Sequence, residues 1–305
     1  MKIATMATGG IGGFLAVKLS LCGHQVATIA RGPHLDAIRD NGLTLESSDA
    51  SQRVRPWMAT DDPREIGEVD AIIFGVKGDA LVVAANACRP MIGPDTVVVP
   101  FLNGVEAVPN LLKVLPKRNI GNGLAQVSTT ISAPGVIRQT GDMAHFIFAE
   151  TDSRSSARID RLRLAISEAG CDAPPSNDIE RDVWAKFLMF SAVSGVTAAA
   201  RCTMGDIFAN PPLSELFRGV TAETATLARA RGVAIPDDAE VQTWAKVQKL
   251  PPKMRASTAI DLEHNRPLEI DWISGAIVRL SRKQGLQAPL NAALYALLSP
   301  YKDGA

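Results

Sequence analysis

The chain has 305 residues, with 32 lysines and arginines against 32 aspartates and glutamates, for a formal net charge of +0. Apolar residues make up 46% and charged residues 21%, a globular balance that excludes wholesale disorder and suggests two domains at about 150 residues each. Neutrality argues against a nucleic-acid binder, which needs a basic excess to neutralise phosphates, but it leaves room for a local basic pocket for one anionic ligand.

Residues 2–7 read as a short buried strand, followed by Gly9-Gly10-Ile11-Gly12-Gly13. Phe14, Leu15, Val17, Leu19 and Leu21 give a mostly apolar helix ended by Gly23-His24, and Gln25 to Ala30 reads as a second strand. Asp70 to Val76 is a further apolar strand, Asp79 to Cys88 has helical character, and Thr96 to Leu102 is strongly β-branched. Such alternation implies a parallel sheet with helices on its faces. From Gly123 to Glu150 the texture is β-like with turns at Ala133-Pro134-Gly135 and Gly141-Asp142, and antiparallel strands extending the first sheet are expected. Beyond Glu150 the pattern is helical. Ile159, Leu162, Ala165, Ile166 and Ala169 repeat at helical spacing, and longer helices are expected over 179–200, 213–230, 237–248, 253–263, 269–284 and 288–298. The expected division is an α/β domain over 1–151 and an all-helical domain over 152–305.

The four cysteines, Cys22, Cys88, Cys171 and Cys202, are far apart with no CxxC pair, so thiolate zinc and a disulfide framework are not expected and buried free thiols are. His24, His34, His145 and His264 show no metal-ligand spacing, and no Ser-His-Asp set is visible. We therefore discount metal and acyl-transfer chemistry. The apolar runs Ala71 to Val76 and Thr96 to Leu102 are far shorter than the ~20 residues of a spanning helix. The glycines near the N-terminus interrupt any signal-peptide core, so no membrane partner is expected and the cytoplasm is the default location.

In a dinucleotide fingerprint GxGxxG, glycines make a tight turn after strand one and let backbone N–H groups approach a pyrophosphate at a helix N-terminus. Here Ala7, Gly9 and Gly12 occupy the glycine positions. The first glycine is missing, and Ala7 is tolerated there if its φ is negative. A structural glycine turn is the alternative. The second strand ends Ile29-Ala30-Arg31-Gly32. It lacks the carboxylate that would hold a ribose 2′-hydroxyl, and Arg31 could instead pair with a 2′-phosphate. NADP(H) is therefore expected over NAD(H), a solvated surface arginine being the other reading.

Lys77 and Asn103 stand at the carboxyl ends of later strands, where ligands of open parallel sheets bind. Each reads equally well as a solvated cap or a turn. Lys186 lies in a mostly apolar stretch, so it needs a partner, a depressed pKa or a wet cavity, unless it snorkels to the surface. Lys186, Phe190 and Ser194 share one helix face at i, i+4, i+8. A second polar group gathers Ser257, Asp261, Glu263, Asn265, Arg266, Glu269 and Asp271. Asn265-Arg266-Pro267 looks like a turn opening a helix, with Glu269 either a first-turn carboxylate or the partner of Lys186.

Together these segments resemble the ketopantoate reductase family (2-dehydropantoate 2-reductase). The resemblance rests on the N-terminal glycine loop, Ala30-Arg31-Gly32, Val76-Lys77, Asn103-Gly104-Val105-Glu106, Trp184-Ala185-Lys186-Phe187, Ser257 and the run Asp261 to Asp271. It spans about residues 1–298. It implies an N-terminal Rossmann-type domain and an all-helical C-terminal domain of the 6-phosphogluconate dehydrogenase C-terminal-like kind, with the active site in the cleft between them. The apolar helical domain makes a homodimer plausible, although burial inside the chain explains the same residues. The implied reaction is NADPH-dependent reduction of ketopantoate to pantoate, a step in pantothenate and coenzyme A synthesis. By the same resemblance Ala7, Gly9, Gly10, Ile11, Gly12, Arg31, Lys77 and Asn103 bind NADP(H). Lys186 donates a proton to the ketone oxygen and Glu269 keeps it charged and oriented. Asn103, Ser257, Phe190 and Ser194 stand in the substrate site, Ser257 on the carboxylate. The chain departs from the family at Ala7, and again at Phe190 and Ser194, where the family often carries asparagines able to bond a substrate hydroxyl. A different 2-keto acid or a bulkier ketone is the alternative substrate, and an NADP(H)-sensing protein without turnover is the alternative function.

Overall fold

A computed structural model of the chain describes residues 1–304. The chain forms two compact units. The first holds Met1–Leu102 and Ala107–Ile179, and the second holds Asn103–Glu106 and the chain from Glu180 onward. The units therefore part at Ile179/Glu180, not at 151/152, and a four-residue excursion of the chain belongs to the second.

The first unit runs β1 (Lys2–Met6), α1 (Gly10–Leu21), β2 (Gln25–Ile29), α2 (Gly32–Asn41), β3 (Leu43–Glu46), β4 (Ser51–Val54), β5 (Met58–Thr60), β6 (Val69–Phe74), α3 (Leu81–Ala87), β7 (Ile92–Pro100), α4 (Ala107–Leu111), β8 (Gly121–Ala133), β9 (Val136–Glu150) and α5 (Ala157–Glu168). Five strands form a parallel sheet in the order β5-β2-β1-β6-β7. Its alanine, valine, isoleucine and phenylalanine side chains are almost all buried, which is why these strands read as continuous apolar runs. Strand order reverses between β1 and β6, the switch point at which open α/β sheets bind ligands. Met6 is in register with both Ile29 and Phe74. The segments that follow β1, β2 and β6 thus leave the sheet at one edge.

The strands after Gly121 do not extend that sheet, contrary to expectation. They make a second sheet in the order β4-β3-β9-β8, with β8 and β9 antiparallel and β3 parallel to β9. The reason lies at the start of β8. A Cβ at Gly123 would stand 3.0 Å from Val99 Cγ1 and 2.9 Å from Phe101 Cε1, so β8 crosses the side chains of β7 face-on instead of pairing along its edge. Helix α1 contacts β1 and β2 of the first sheet and β3, β4, β8 and β9 of the second. Phe14, Leu15, Ala16, Val17 and Leu19 are all fully buried, and Phe14 stacks on Phe146 at 6.1 Å between centroids. A helix enclosed on every side has no need of a polar face, and α1 carries almost none. Ile159, Leu162, Ala165 and Ile166 of α5 join the same core, which places that helix in the first unit.

The second unit runs α6 (Ile179–Ala199), α7 (Met204–Ala209), α8 (Pro211–Ala230), α9 (Ala239–Val247), α10 (Ser257–Glu263), α11 (Ser274–Lys283) and α12 (Pro289–Leu298). Helix α6 is its spine. Trp184, Phe187 and Leu188 pack with α8 and α11, Ala192, Val193 and Val196 pack with α7, α8 and α12, and Ala198 packs near α10. All four cysteines are free thiols; Cys88 and Cys171 are buried, but Cys22 is exposed. Burial pushes the Cys88 and Cys171 thiols up to about 12 and about 11. Among the described residues no helix is long and apolar enough to cross a membrane.

Candidate functional site

In the first unit the segment after β1 meets the start of α1 and the end of β6. Gly9 caps α1 in extended backbone, and the first bond of the helix runs from Gly13 N–H to Gly9 O at 2.7 Å. The N–H groups of Gly10, Ile11 and Gly12 precede that ladder and have no intrahelical acceptor, the arrangement in which a helix N-terminus receives an anion. Gly12 tolerates no side chain, because a Cβ would stand 2.1 Å from Ala7 O. At Gly75, which follows β6, a Cβ would stand 3.0 Å from Gly12 N. Ala7 itself is not among the residues with positive φ, so an alanine fits where the fingerprint has glycine. These residues fit the pyrophosphate of a dinucleotide.

Arg31 follows β2 and caps α2; its side chain is exposed and, among the described residues, forms no ion pair or side-chain hydrogen bond. Lys77 is exposed and caps the 3₁₀ turn Gly78–Ala80. Sequence reasoning assigned His34 no place in this region. Its Nε2 lies 2.9 Å from Thr8 O, and its Nδ1 accepts the Gly135 N–H at 3.0 Å. Only the neutral Nε2–H form satisfies both partners. Burial lowers its pKa from 6.5, and the bond to Thr8 opposes that shift.

The second unit gathers Lys186, Asn103, Glu269 and Phe190. Lys186, on α6, donates from Nζ to Asn103 Oδ1 at 3.1 Å, and Asn103 Nδ2 donates to Glu269 Oε2 at 3.3 Å. The amide thus spans ammonium and carboxylate, with its acceptor toward one and its donors toward the other. Burial brings the Lys186 pKa down to about 8, and the negative charge of Glu269 works against that shift. The Phe190 ring lies below the same ammonium, its centroid 5.4 Å from Nζ, where the ring quadrupole attracts a cation.

Glu269 precedes the 3₁₀ turn Ile270–Trp272, and its carboxylate makes no capping bond; α11 starts only at Ser274. Asn103 is held in place through Gly104, whose φ is +96 and where a Cβ would stand 2.7 Å from Trp272 O. The excursion Asn103–Glu106 is tied down further by the ion pair between Arg279 and Glu106.

Two expected substrate residues form no hydrogen bond with this cluster among the described residues. Ser194 is fully buried, its hydroxyl 2.6 Å from Thr258 Oγ1. Ser257 opens α10, is exposed, and its hydroxyl has no partner among the described residues. The bridging role of Asn103 had no clear signal in the sequence, since Asn-Gly reads as a turn and 83 residues separate it from Lys186. The Ser194–Thr258 pair gave no signal either.

A glycine cradle at the switch point of a parallel sheet, with a helical unit carrying a lysine of lowered pKa, defines a dinucleotide-binding oxidoreductase fold. The family model of ketopantoate reductase PanE/ApbA matches residues 3–153, and that of the ketopantoate reductase PanE/ApbA C-terminal domain matches residues 178–302. The chain belongs to the ketopantoate reductase family. It is 29% identical to a 2-dehydropantoate 2-reductase of Mesorhizobium japonicum over 98% of this chain and 97% of that one. A PanE/ApbA family ketopantoate reductase from Ralstonia eutropha superposes with a TM-score of 0.89 at 28% identity, covering 99% of this chain and 98% of that one. D-mandelate dehydrogenase, solved with NADH and anilino(oxo)acetate, superposes with a TM-score of 0.90 at 22% identity, covering 99% of this chain and 98% of that one. That last likeness speaks for the fold alone.

Proposed function

We propose that this protein reduces a 2-keto acid to the 2-hydroxy acid with NADPH. The family's reaction, ketopantoate to pantoate on the route to pantothenate and coenzyme A, is the first to assay. The observation that carries the reading is the cluster of Lys186, Asn103 and Glu269, a proton donor of lowered pKa held by an amide and a carboxylate. The reduced nicotinamide, when bound, supplies the hydride that the ketone carbon accepts. Gly9, Gly10, Ile11 and Gly12 would hold its pyrophosphate on backbone N–H groups, Ala7 lining the same turn and Lys77 lying nearby. Arg31 would take the 2′-phosphate.

The chain's own part in the chemistry is the proton. As the C=O π pair moves onto oxygen, the Lys186 ammonium donates to that oxygen and forms the hydroxyl of the product. The neutral amine then regains a proton from solvent. Asn103 points its carbonyl at the ammonium and so fixes the direction of the N–H groups left for substrate. Glu269, at the far end of the same amide, supplies the negative charge that favours the charged form. Ser257, with its hydroxyl unengaged, would meet the substrate carboxylate.

The test is NADPH consumption by purified protein with ketopantoate, against a control without substrate. Saturable turnover that Lys186→Ala lowers by about 10²–10⁴-fold in kcat, with NADPH binding intact, is the expected result. A silent wild type that still binds NADPH would sink ketopantoate as substrate, and full turnover by Lys186→Ala would remove that lysine from the mechanism. Arg31→Ala should raise KM for NADPH about tenfold or more and leave KM for NADH where it was. An unchanged cofactor preference would take the 2′-phosphate away from Arg31.

A further inference from the structure

We infer that the substrate is a 2-keto acid whose side chain carries no hydroxyl, and that Phe190 selects it. The inference rests on the reductase reading and narrows its substrate. Lys186, Phe190 and Ser194 follow one another on a single face of α6, so a ketone oxygen bonded to Lys186 Nζ brings the rest of the substrate to that face. One turn beyond the lysine the face offers only the ring of Phe190, with its centroid 5.4 Å from Nζ. Phe190 is partly buried and packs against the cluster of Trp184, Phe187, Ile273 and Ile277, as does Val105 from the excursion that carries Asn103. Two turns beyond the lysine is the Ser194 hydroxyl, but it is fully buried and engaged with Thr258 Oγ1 at 2.6 Å.

The polar groups of this cluster are thereby assigned: Lys186 serves the ketone oxygen, and Asn103 and Glu269 serve Lys186. In the reductase reading the exposed Ser257 hydroxyl, which is not part of this cluster, is left for the carboxylate. A hydroxyl on the substrate tail would exchange water for an aromatic face without a bonding partner, which disfavours it. An apolar tail of the same shape exchanges water for carbon and gains. The discrimination to expect is moderate, because an apolar pocket rejects an added hydroxyl by about a hundredfold at most, far less than a pocket built to bond a hydroxyl discriminates against its absence.

Ketopantoate and 3,3-dimethyl-2-oxobutanoate differ by one hydroxyl and are otherwise the same skeleton, so the pair isolates this property. With NADPH in excess, the wild-type protein should show kcat/KM about tenfold to a hundredfold higher for the acid without the hydroxyl. Phe190→Asn should narrow that ratio by about tenfold or more, through a lower KM for ketopantoate, and Phe190→Leu should keep it. Equal rates, or a preference for ketopantoate, in the wild type would overturn the inference while upholding the reductase. A wild type that turns over neither acid, yet binds NADPH, would overturn the reductase reading, and the inference would fall with it. The wild-type comparison decides the matter even if Phe190→Asn fails to fold. If that variant folds and keeps the ratio unchanged, selection by Phe190 is refuted.

Discussion

A lysine that gives up a proton during catalysis has to be charged beforehand and must not hold the proton too tightly. Burial lowers the Lys186 pKa to about 8, and Glu269 keeps it from falling further. The sign of the pH effect follows. With Lys186 as the proposed donor, turnover should not depend on this group below about 8, where it is protonated, and should fall above it with the protonated fraction. Glu269→Gln removes the charge that sustains the ammonium, so the alkaline limb of kcat against pH should move to lower pH. A limb that stays in place would show that Glu269 does not act on Lys186. Lys186→Ala should cost about 10²–10⁴-fold in kcat, the ordinary contribution of a general acid. The lysine was legible in the sequence because an ammonium inside an apolar run demands an explanation. Its bridge to Glu269 was not, because an asparagine before a glycine carries the same local pattern whether it ends a turn or joins two charges.

At the scale of elements, α1 and the loop before it show how close packing fixes a glycine. A Cβ on residue 12 would collide with the Ala7 carbonyl at 2.1 Å. Gly12→Ala should therefore destabilise the fold by about 1–3 kcal/mol, as overpacking does, and weaken NADPH binding in a titration of the folded protein. Ala7→Gly adds only freedom in the unfolded chain, so it should lower stability by about 0.4–1 kcal/mol and leave NADPH affinity where it is. Strand and helix positions in this region were readable from alternating apolar runs, but sheet membership was not. Local pattern marks 127–131, 136–139 and 145–149 as β and reads Gly141-Asp142 as a turn, whereas β9 runs unbroken through that pair from Val136 to Glu150. Which neighbour these strands pair with depends on Gly123 letting β8 lie across Val99 and Phe101.

The same level of organisation explains His34, which ties Thr8 O to the β8–β9 turn in its neutral form. Its pKa lies below the ordinary 6.5, so between the two values the unfolded chain binds more protons. The stability it contributes is complete above 6.5 and is lost as pH falls through the lowered value. His34→Gln keeps a donor for Thr8 and an acceptor for Gly135 without titrating. The acid-side loss of stability and of NADPH affinity should flatten in that variant, and an unaltered acid limb would clear His34 of any part in it.

At the scale of the whole molecule, the chain assigns four consecutive residues, Asn103–Glu106, to the helical unit although both flanks belong to the sheet unit. Composition shifts place a boundary where helices begin to dominate, near residue 151. They cannot register an excursion this short, nor the docking of α5 onto the sheet core, because both depend on contacts distant in sequence. The excursion nevertheless carries the amide that orients Lys186, so its anchoring should govern turnover more than cofactor binding. Gly104 is the anchor point, with φ of +96 and Trp272 O where a Cβ would fall at 2.7 Å. Gly104→Ala meets both penalties, backbone strain and overlap, and should cost about 1–3 kcal/mol of stability. With the loop lifted, Asn103 no longer bridges Lys186 and Glu269. The ammonium then loses a bond to a neutral acceptor and its fixed direction, so kcat should fall about tenfold or more while the dissociation constant for NADPH holds. Equal losses in kcat and in NADPH affinity would mean that the loop supports the cofactor instead, and would move Asn103 out of the proton-donating cluster.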